Sequence, residues 1–330
     1  MNKRRKLIVA FGAGVLAAPL ASLVRAQDKV WRVGFLNPAA PDSRALTRLQ
    51  AFREGMREHG YVEGKNLRIE VRWAEGRLER LPALAAELVA LKVDAIVVGS
   101  TPATDAALKA TKSIPLVMAT SGDPVADGHA ASLARPGGNI TGLSSMAPEL
   151  GEKRIQLLKD VFPKLSRTLA VMWNSAYYGM RARFAEAKSA APKLGLGVRS
   201  VEVRDLDELE SAFAAMRKEP PDALVLLADP FTGSQRTRIV EFAAARHLPA
   251  IYDAADFADV GGLMAYGPDQ LAQYRRAAYY IDRIFKGAKP GELPIEQPSK
   301  FDLVINMKTA KALGIKFPQA ILVQATRVIE

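Results

Sequence analysis

Cysteine is absent from the 330 residues of the chain, and histidine occurs only three times. Without cysteine there is no disulfide framework, thiolate nucleophile or zinc–thiolate site. We also expect no lipid anchor, since that anchor is attached to a cysteine. None of His59, His129 and His247 has a second histidine at metal-ligand spacing. We therefore predict no catalytic residue, no metal and no cofactor, and so no enzyme.

The glycine-rich motifs of nucleotide-binding enzymes and of serine hydrolases are also missing. The chain has no G-x-x-x-x-G-K loop and no G-x-S-x-G elbow, and no G-x-G-x-x-G follows its first predicted strand. Its basic residues are mixed with acids, as at residues 152–154 and 204–205, and form no basic stripe. We therefore expect neither a dinucleotide-dependent dehydrogenase nor a nucleic-acid-binding protein.

The first 26 residues differ from the rest of the chain. A basic cluster at residues 3–6 precedes an uncharged apolar stretch at residues 7–24, and small residues flank Arg25. This order is typical of a secretory signal peptide that is cleaved after Ala26. A membrane-anchoring helix is the alternative, which two glycines and a proline within the stretch disfavour. Either Sec or Tat export fits the signal, so we expect the mature protein in the periplasm.

Short apolar runs alternate with longer amphipathic segments along the remaining chain. Residues 94–98 and 223–228 are almost wholly apolar, as in parallel strands that are buried on both faces. Residues 43–60 carry apolar side chains at helical spacing. Repetition of this alternation predicts an α/β protein with two doubly wound parallel-sheet lobes. The second half holds more elements than one sheet needs, so part of it is expected to return to the first lobe.

Several segments, taken together, resemble one protein family. They are residues 60–66 (GYVEGKN), 72–76 (RWAEG), 121–125 (SGDPV), 135–142 (RPGGNITG), 149–154 (ELGEKR), 261–267 (GGLMAYG), 293–298 (LPIEQP) and 306–314 (NMKTAKALG). As a set they are similar to ABC transporter substrate-binding proteins of the tryptophan/tyrosine type, which have a type I periplasmic-binding-protein fold. No single segment would suffice, since Pro-Gly-Gly-Asn alone is a turn.

The resemblance implies two lobes joined by a three-segment hinge, with a ligand between them. We expect residues 1–26 to be the signal peptide. Lobe 1 is then residues 27–142 with about 268–294, and lobe 2 is residues 143–267 with about 295–330. The crossings are expected near Gly142, near Gly267 and within residues 293–298.

The same resemblance implies partners and a ligand class. A monomeric protein would capture a small molecule and deliver it to an ABC permease and its ATPase in the inner membrane. The expected ligand is amino acid-like, aromatic or branched. Two alternatives remain: an extracytoplasmic sensor for a membrane kinase, which neighbouring genes would reveal, and a sugar-handling enzyme, which turnover of a metabolite would reveal.

Open α/β sheets bind ligands beyond the carboxyl ends of their strands, and this rule selects candidate residues. In the first lobe they are Asn37, Ser100, Thr101, Thr120, Ser121 and Asp123. Ser100 and Thr101 open a predicted helix, whose start favours an anion, although one of them also caps that helix. Asp123 either meets a ligand cation or caps the helix after Pro124.

In the second lobe the candidates are Asn174, Tyr177, Tyr178, Asp229 and Tyr252. The adjacent tyrosines either stack on an aromatic ligand or pack between the lobes. Asp229, at the end of a strongly apolar strand, either holds a ligand ammonium or forms a turn. Relatives with this fold that bind amino acids hold the carboxylate in the first lobe and the ammonium in the second. That resemblance assigns the carboxylate to the Ser and Thr candidates and the ammonium to Asp229.

Overall fold

The computed structural model describes residues 29–145, 150–165, 167–177 and 179–330. The predicted signal peptide and Tyr178 lie outside these residues. No helix within the described ranges is both long and apolar enough to cross a membrane. Two α/β lobes are present, each built on one sheet.

The first lobe contains a parallel sheet. Its strands in the described residues are β1 (Trp31–Asn37), β2 (Leu67–Trp73), β3 (Ala95–Val98), β4 (Leu116–Ser121) and β5 (Ile140–Ser144). They lie in the order β2-β1-β3-β4-β5, and all neighbours pair in parallel. The connecting helices are α1 (Ser43–Glu58), α2 (Leu81–Ala90) and α3 (Thr101–Ala110). Helix α1 packs on one face of the sheet and α2 and α3 on the other, as in a doubly wound fold.

Local sequence explains where α1 begins and which face it buries. Asp42 caps the helix by accepting a hydrogen bond from the Ala45 amide at 2.8 Å. Apolar side chains at helical spacing are buried against the sheet, and they are Ala45, Leu49, Phe52 and Met56. The first turn of α1 follows the carboxyl end of β1, so its other side chains lie at the edge of the lobe.

The second lobe contains a mixed sheet. Its described strands are β6 (Thr168–Trp173), β7 (Gly197–Glu202), β8 (Ala223–Leu226), β9 (Ala250–Tyr252), β10 (Met264–Pro268), β11 (Phe301–Asn306) and β12 (Arg327–Ile329), in the order β12-β11-β10-β9-β8-β6-β7. Its helices are α4 (Leu150–Val161), α5 (Met180–Lys193), α6 (Leu206–Lys218), α7 (Pro230–Ser234), α8 (Arg236–Ala245), α9 (Ala255–Asp259), α11 (Met307–Ala312) and α12 (Gln319–Leu322). Helix α10 (Gln270–Phe285) comes between β10 and β11.

Two strands of this sheet run against the others, where the sequence predicts a parallel sheet. Strand β11 pairs antiparallel with β10, and β12 is parallel to β11. The reason is the path of the chain between β10 and β11. Helix α10 packs against α1 and β4 of lobe 1, so the chain leaves and re-enters lobe 2 at the same edge. Phe301, which starts β11, therefore lies beside Pro268, which ends β10.

The segment around Glu296, between α10 and β11, pairs with β5, the last strand of lobe 1. The Ser144 amide donates to the Glu296 carbonyl at 2.9 Å, and the Glu296 amide donates to the Gly142 carbonyl at 3.0 Å. Gly142, near which the sequence predicts the first crossing, lies inside β5. The chain leaves the sheet of lobe 1 only after Ser144, because β5 continues to pair with β4 up to that residue.

Gly142 tests how tightly this strand is packed. Its φ is +124°, and a Cβ there would lie 2.2 Å from the Met118 carbonyl oxygen. Gly142→Ala should therefore lower the free energy of unfolding by about 2–5 kcal/mol, through backbone strain and steric overlap. Gly128→Ala is the control, since Gly128 also has a positive φ of +74° but has open space around it. Urea unfolding measures both; equal losses would show that the close approach is not restrictive.

Candidate functional site

Carboxyl ends of strands from both lobes meet at one cleft. From lobe 1 the cleft is lined by Asn37 at the end of β1, by Ser100 and Thr101 after β3, and by Thr120 and Ser121 of β4. From lobe 2 it is lined by residues after β6, β8 and β9, which include Tyr177, Met180, Arg183, Asp229 and Asp253. Seven of the residues selected from the sequence therefore line one cavity: Asn37, Ser100, Thr101, Thr120, Ser121, Tyr177 and Asp229.

The wall formed by lobe 1 is polar and begins at helix α3. The Ser100 hydroxyl caps this helix by accepting from the Ala103 amide at 3.1 Å. The Thr101 hydroxyl accepts from the Gly122 amide at 3.0 Å and lies 3.4 Å from the Ser121 hydroxyl. The start of a ten-residue helix and these hydroxyls together favour a negatively charged group.

Asn37 lies deeper in lobe 1 and is almost fully buried. Its side-chain Nδ2 donates to the Tyr274 hydroxyl at 3.1 Å, and its side-chain Oδ1 accepts from the Ala39 amide at 3.0 Å. Gly99 makes this arrangement possible, because a Cβ there would lie 2.4 Å from the Tyr274 hydroxyl. Asn37 thus has a structural role as well as a place on the cleft wall.

The wall formed by lobe 2 contains a carboxylate without a cationic partner. Asp229 caps α7 and accepts hydrogen bonds from the Thr232 amide at 2.9 Å, the Thr232 hydroxyl at 2.6 Å and the Asn174 side chain at 2.6 Å. Burial raises the pKa of the Asp229 carboxyl, although these hydrogen bonds oppose the shift. No basic side chain of the described residues forms an ion pair with it. Asp229 therefore lines the cleft without an ion-pair partner among the described residues.

Asn174 and Tyr177 support the site from lobe 2. Asn174 lies behind Asp229, where its side chain donates to that carboxylate and accepts from the Ala176 amide at 3.0 Å. Tyr177 is packed in the core of lobe 2, lines the cleft, and its hydroxyl interacts with Ser100 of lobe 1. Burial raises the pKa of the Tyr177 phenol, so it stays neutral.

Two of the selected residues lie away from the cleft. Asp123 accepts from the Val125 and Ala126 amides at 3.0 Å, so it caps the turn after Pro124. Tyr252 is 1% exposed and stacks on Phe257, with ring centroids 5.0 Å apart. Side chains alternate between the two faces of a strand, and Tyr252 points into the core of lobe 2.

The residue after Tyr252 is a cleft residue that sequence reasoning missed. The Asp253 carboxylate accepts from the Ala228 amide at 2.8 Å and forms an ion pair with Arg183 of α5. Both side chains line the cleft, but each neutralises the other. Asp253 directly follows β9, which ends at Tyr252, so the strand-end rule could have identified it if the face of each side chain had been known.

Arginines of α1 are the other residues that were missed. Arg44 and Arg48 line the cleft, and Arg44 pairs across it with Asp256 of α9, 2.8 Å from Nη1 to Oδ2. A second pair joins Asp42 to Arg236 of α8 at 3.1 Å. The lobes therefore touch across the cleft. No sequence signal singles out these arginines, since each partner lies about 200 residues away.

Two α/β lobes with a polar cleft between facing strand ends define a solute-binding protein of the type I periplasmic-binding-protein class. The family model for ABC transporter substrate binding protein matches residues 33–329, so the chain belongs to this family. The resemblance seen in the sequence, the fold class and the role as a substrate-binding protein are thereby confirmed. Members of the family work outside the cytoplasm, binding a small molecule for an ABC transporter.

Individual relatives are similar over most of their length. A tyrosine-binding protein of Clostridioides difficile is 26% identical over 81% of this chain and 76% of its own. A domain from Streptococcus pneumoniae, solved in complex with L-Trp, superposes with a TM-score of 0.84 and 28% identity, covering 91% of this chain and 99% of that one. A conserved domain protein of Vibrio cholerae gives a TM-score of 0.85 and 28% identity over 91% and 100%.

The pair between Arg44 and Asp256 should be measurable as a coupling between the lobes. A double-mutant cycle with Arg44→Met and Asp256→Asn is expected to give a coupling of about 1–3 kcal/mol in the free energy of unfolding, since both side chains are largely buried. The exposed pair of Lys193 and Glu152 within lobe 2 serves as control and should give about 0.2–1 kcal/mol. Urea unfolding checks both cycles; a coupling near zero for Arg44 and Asp256 would mean that the lobes stay apart in solution.

Proposed function

We propose that the protein captures an amino acid zwitterion, aromatic or branched, in this cleft. It does so in the periplasm and delivers the ligand to an ABC permease and its ATPase in the inner membrane. The carrying observation is that Asp229, a buried carboxylate without a cationic partner, faces a polar wall that begins at a helix N-terminus. This arrangement suits an ammonium and a carboxylate on one small molecule.

Each charged group of the ligand has a distinct site in this proposal. The ammonium lies against Asp229. The carboxylate lies at the start of α3, where Ser100, Thr101, Thr120 and Ser121 bear hydroxyl groups along the wall of lobe 1. A helix start stabilises an anion through its free amides and its dipole. Both sites line the same cavity, so one ligand reaches both.

The ligand side chain is the less constrained part of the proposal. Tyr177 and Met180 provide an aromatic ring and a thioether on the wall of lobe 2, and both contact aromatic side chains well. The L-Trp complex of the Streptococcus pneumoniae relative and the tyrosine-binding relative support an aromatic amino acid.

Binding without turnover fits the same site. None of the three histidines lines the cleft, and its two carboxylates are held by hydrogen bonds or an ion pair. We propose that the monomer acts as a two-lobed clamp without cofactor or nucleic acid. The lobes rotate about three crossings of the chain, near Ser144, near Pro268 and near Glu296. Bound ligand shifts the population toward the closed form because it contacts both lobes only there.

A binding experiment tests the role of Asp229. Thermal-shift screening of the mature protein should identify an amino acid among L-tryptophan, L-tyrosine and L-leucine, and calorimetry then gives its affinity. Asp229→Asn should weaken binding by about tenfold or more, because a ligand charge loses its partner. The fold should survive, since asparagine also caps helices.

The matched control for this variant is Asp205→Asn. Asp205 caps α6 by the same kind of bond, accepting from the Glu208 amide at 2.9 Å, but it lies on the surface. Its substitution should leave affinity unchanged. An Asp229→Asn variant that binds as tightly as the unaltered protein would remove Asp229 from the site, and conversion of the ligand to product would show an enzyme.

Export is tested separately from binding. Periplasmic protein analysed by mass spectrometry should begin at Gln27, because the small residues Val24 and Ala26 on either side of Arg25 are typical of cleavage after Ala26. A variant in which a bulky residue replaces Ala26 should be cleaved less than the unaltered protein, because the cleavage site needs a small residue there. Intact protein beginning at Met1 in the membrane fraction would instead indicate an anchoring helix.

A further inference from the structure

Arg48 is a largely buried cation on the cleft wall that lacks a close partner. Its side chain is 15% exposed, and its nearest anion is the Asp256 carboxylate, with Nη2 3.9 Å from Oδ2. No described residue accepts a hydrogen bond from its guanidinium. Its nitrogens are not among the described atoms that are both sealed from solvent and without a hydrogen-bond partner. Arg48 lines the cleft and also borders an adjoining cavity between α1 and α9, so its guanidinium reaches solvent on this side of the lobe.

The surrounding acids are already used by other arginines. Asp256 is 2.8 Å from Arg44 and 3.9 Å from Arg48, so Arg44 is its main partner. Asp42 is occupied by Arg236 at 3.1 Å. Three arginines therefore share two carboxylates, which leaves one positive charge uncompensated. Burial lowers the pKa of Arg48, and the nearby charge of Arg44 lowers it further. An anion beside Arg48 would relieve both effects.

The opposite wall of the cleft shows the reverse imbalance. Asp229 is a buried carboxylate with hydrogen bonds from neutral groups only. On lobe 1 the cleft thus holds a cation whose nearest carboxylate is 3.9 Å away and is shared with Arg44. On lobe 2 it holds a carboxylate that has no cationic partner among the described residues. An uncharged sugar would leave both charges without a partner in a desolvated site, which is unfavourable. A zwitterion compensates both at once.

We infer that Arg48 binds the carboxylate of the same amino acid whose ammonium lies against Asp229. This inference rests on the proposed function and adds a charged partner to the hydroxyls and helix start of lobe 1. Guanidinium suits the task, because its planar array of N–H donors matches a carboxylate and keeps its charge at any physiological pH. Arg48 is then the residue that distinguishes a free amino acid from its amide.

The test compares an acid with its amide on two variants. The ligand is the amino acid that shows the largest thermal shift among L-tryptophan, L-tyrosine and L-leucine, and the probe is its carboxamide. Both are titrated at about pH 6, where their amines are protonated. Arg48→Met should weaken binding of the acid by about tenfold or more and change binding of the amide little, so the preference for the acid collapses.

Arg57→Met is the matched control, since Arg57 lies on the same helix but is exposed. It should bind both compounds as the unaltered protein does. A second measurement uses the ligand-free protein. The urea midpoint of Arg48→Met should not fall below that of the unaltered protein, because methionine keeps the apolar stem and removes a charge without a close partner.

The outcomes separate this inference from the proposed function. If the unaltered protein binds none of the three amino acids, the proposed function fails and the role of Arg48 fails with it. If binding depends on Asp229 while Arg48→Met keeps both affinity and preference for the acid, only the assignment of Arg48 is wrong. A lower urea midpoint with unchanged affinity would make Arg48 a structural partner of Asp256 and would also overturn the inference.

Discussion

Parallel pairing of strands is the constraint on which the site depends. Neighbouring parallel strands end at the same edge of a sheet, so each lobe presents all its parallel strand ends together. The two edges face each other across the cleft, and this brings Ser100 of lobe 1 opposite Asp229 of lobe 2. The reversal of β11 follows from the same geometry, because a chain that leaves lobe 2 at this edge also returns there.

The acidic residues at the cleft differ in whether a basic side chain compensates their charge. Asp253 and Asp256 are tied to Arg183 and Arg44, and such buried pairs would be costly to break. Asp229 accepts hydrogen bonds but has no cationic partner among the described residues. In the proposed function the ligand would provide the missing charge only when both walls surround it, which would couple capture to closure.

Much of the fold was predictable from apolar patterning, and the failures have identifiable causes. The long helices were predicted from the helical spacing of their apolar residues, and most buried strands from short apolar runs. Both signals lie within a few neighbouring residues. Strands β5 and β12 were missed: β5 contains Gly142 and directly follows the Pro-Gly-Gly-Asn turn at residues 136–139, and β12 has only three residues. At the site, the strand-end rule selected Tyr252 instead of its neighbour Asp253, because the rule locates a strand end but not the face of each side chain.

The sequence by itself determined the alternation of most strands and helices, the family, and the polar residues at strand ends, because each of these depends on short segments. Only the tertiary structure decided which charges are paired. Arg44 and Asp256 are 212 residues apart, and Asp42 and Arg236 are 194 apart. Such partners meet only when two lobes close on each other, so no local pattern can show which arginine remains without a close partner.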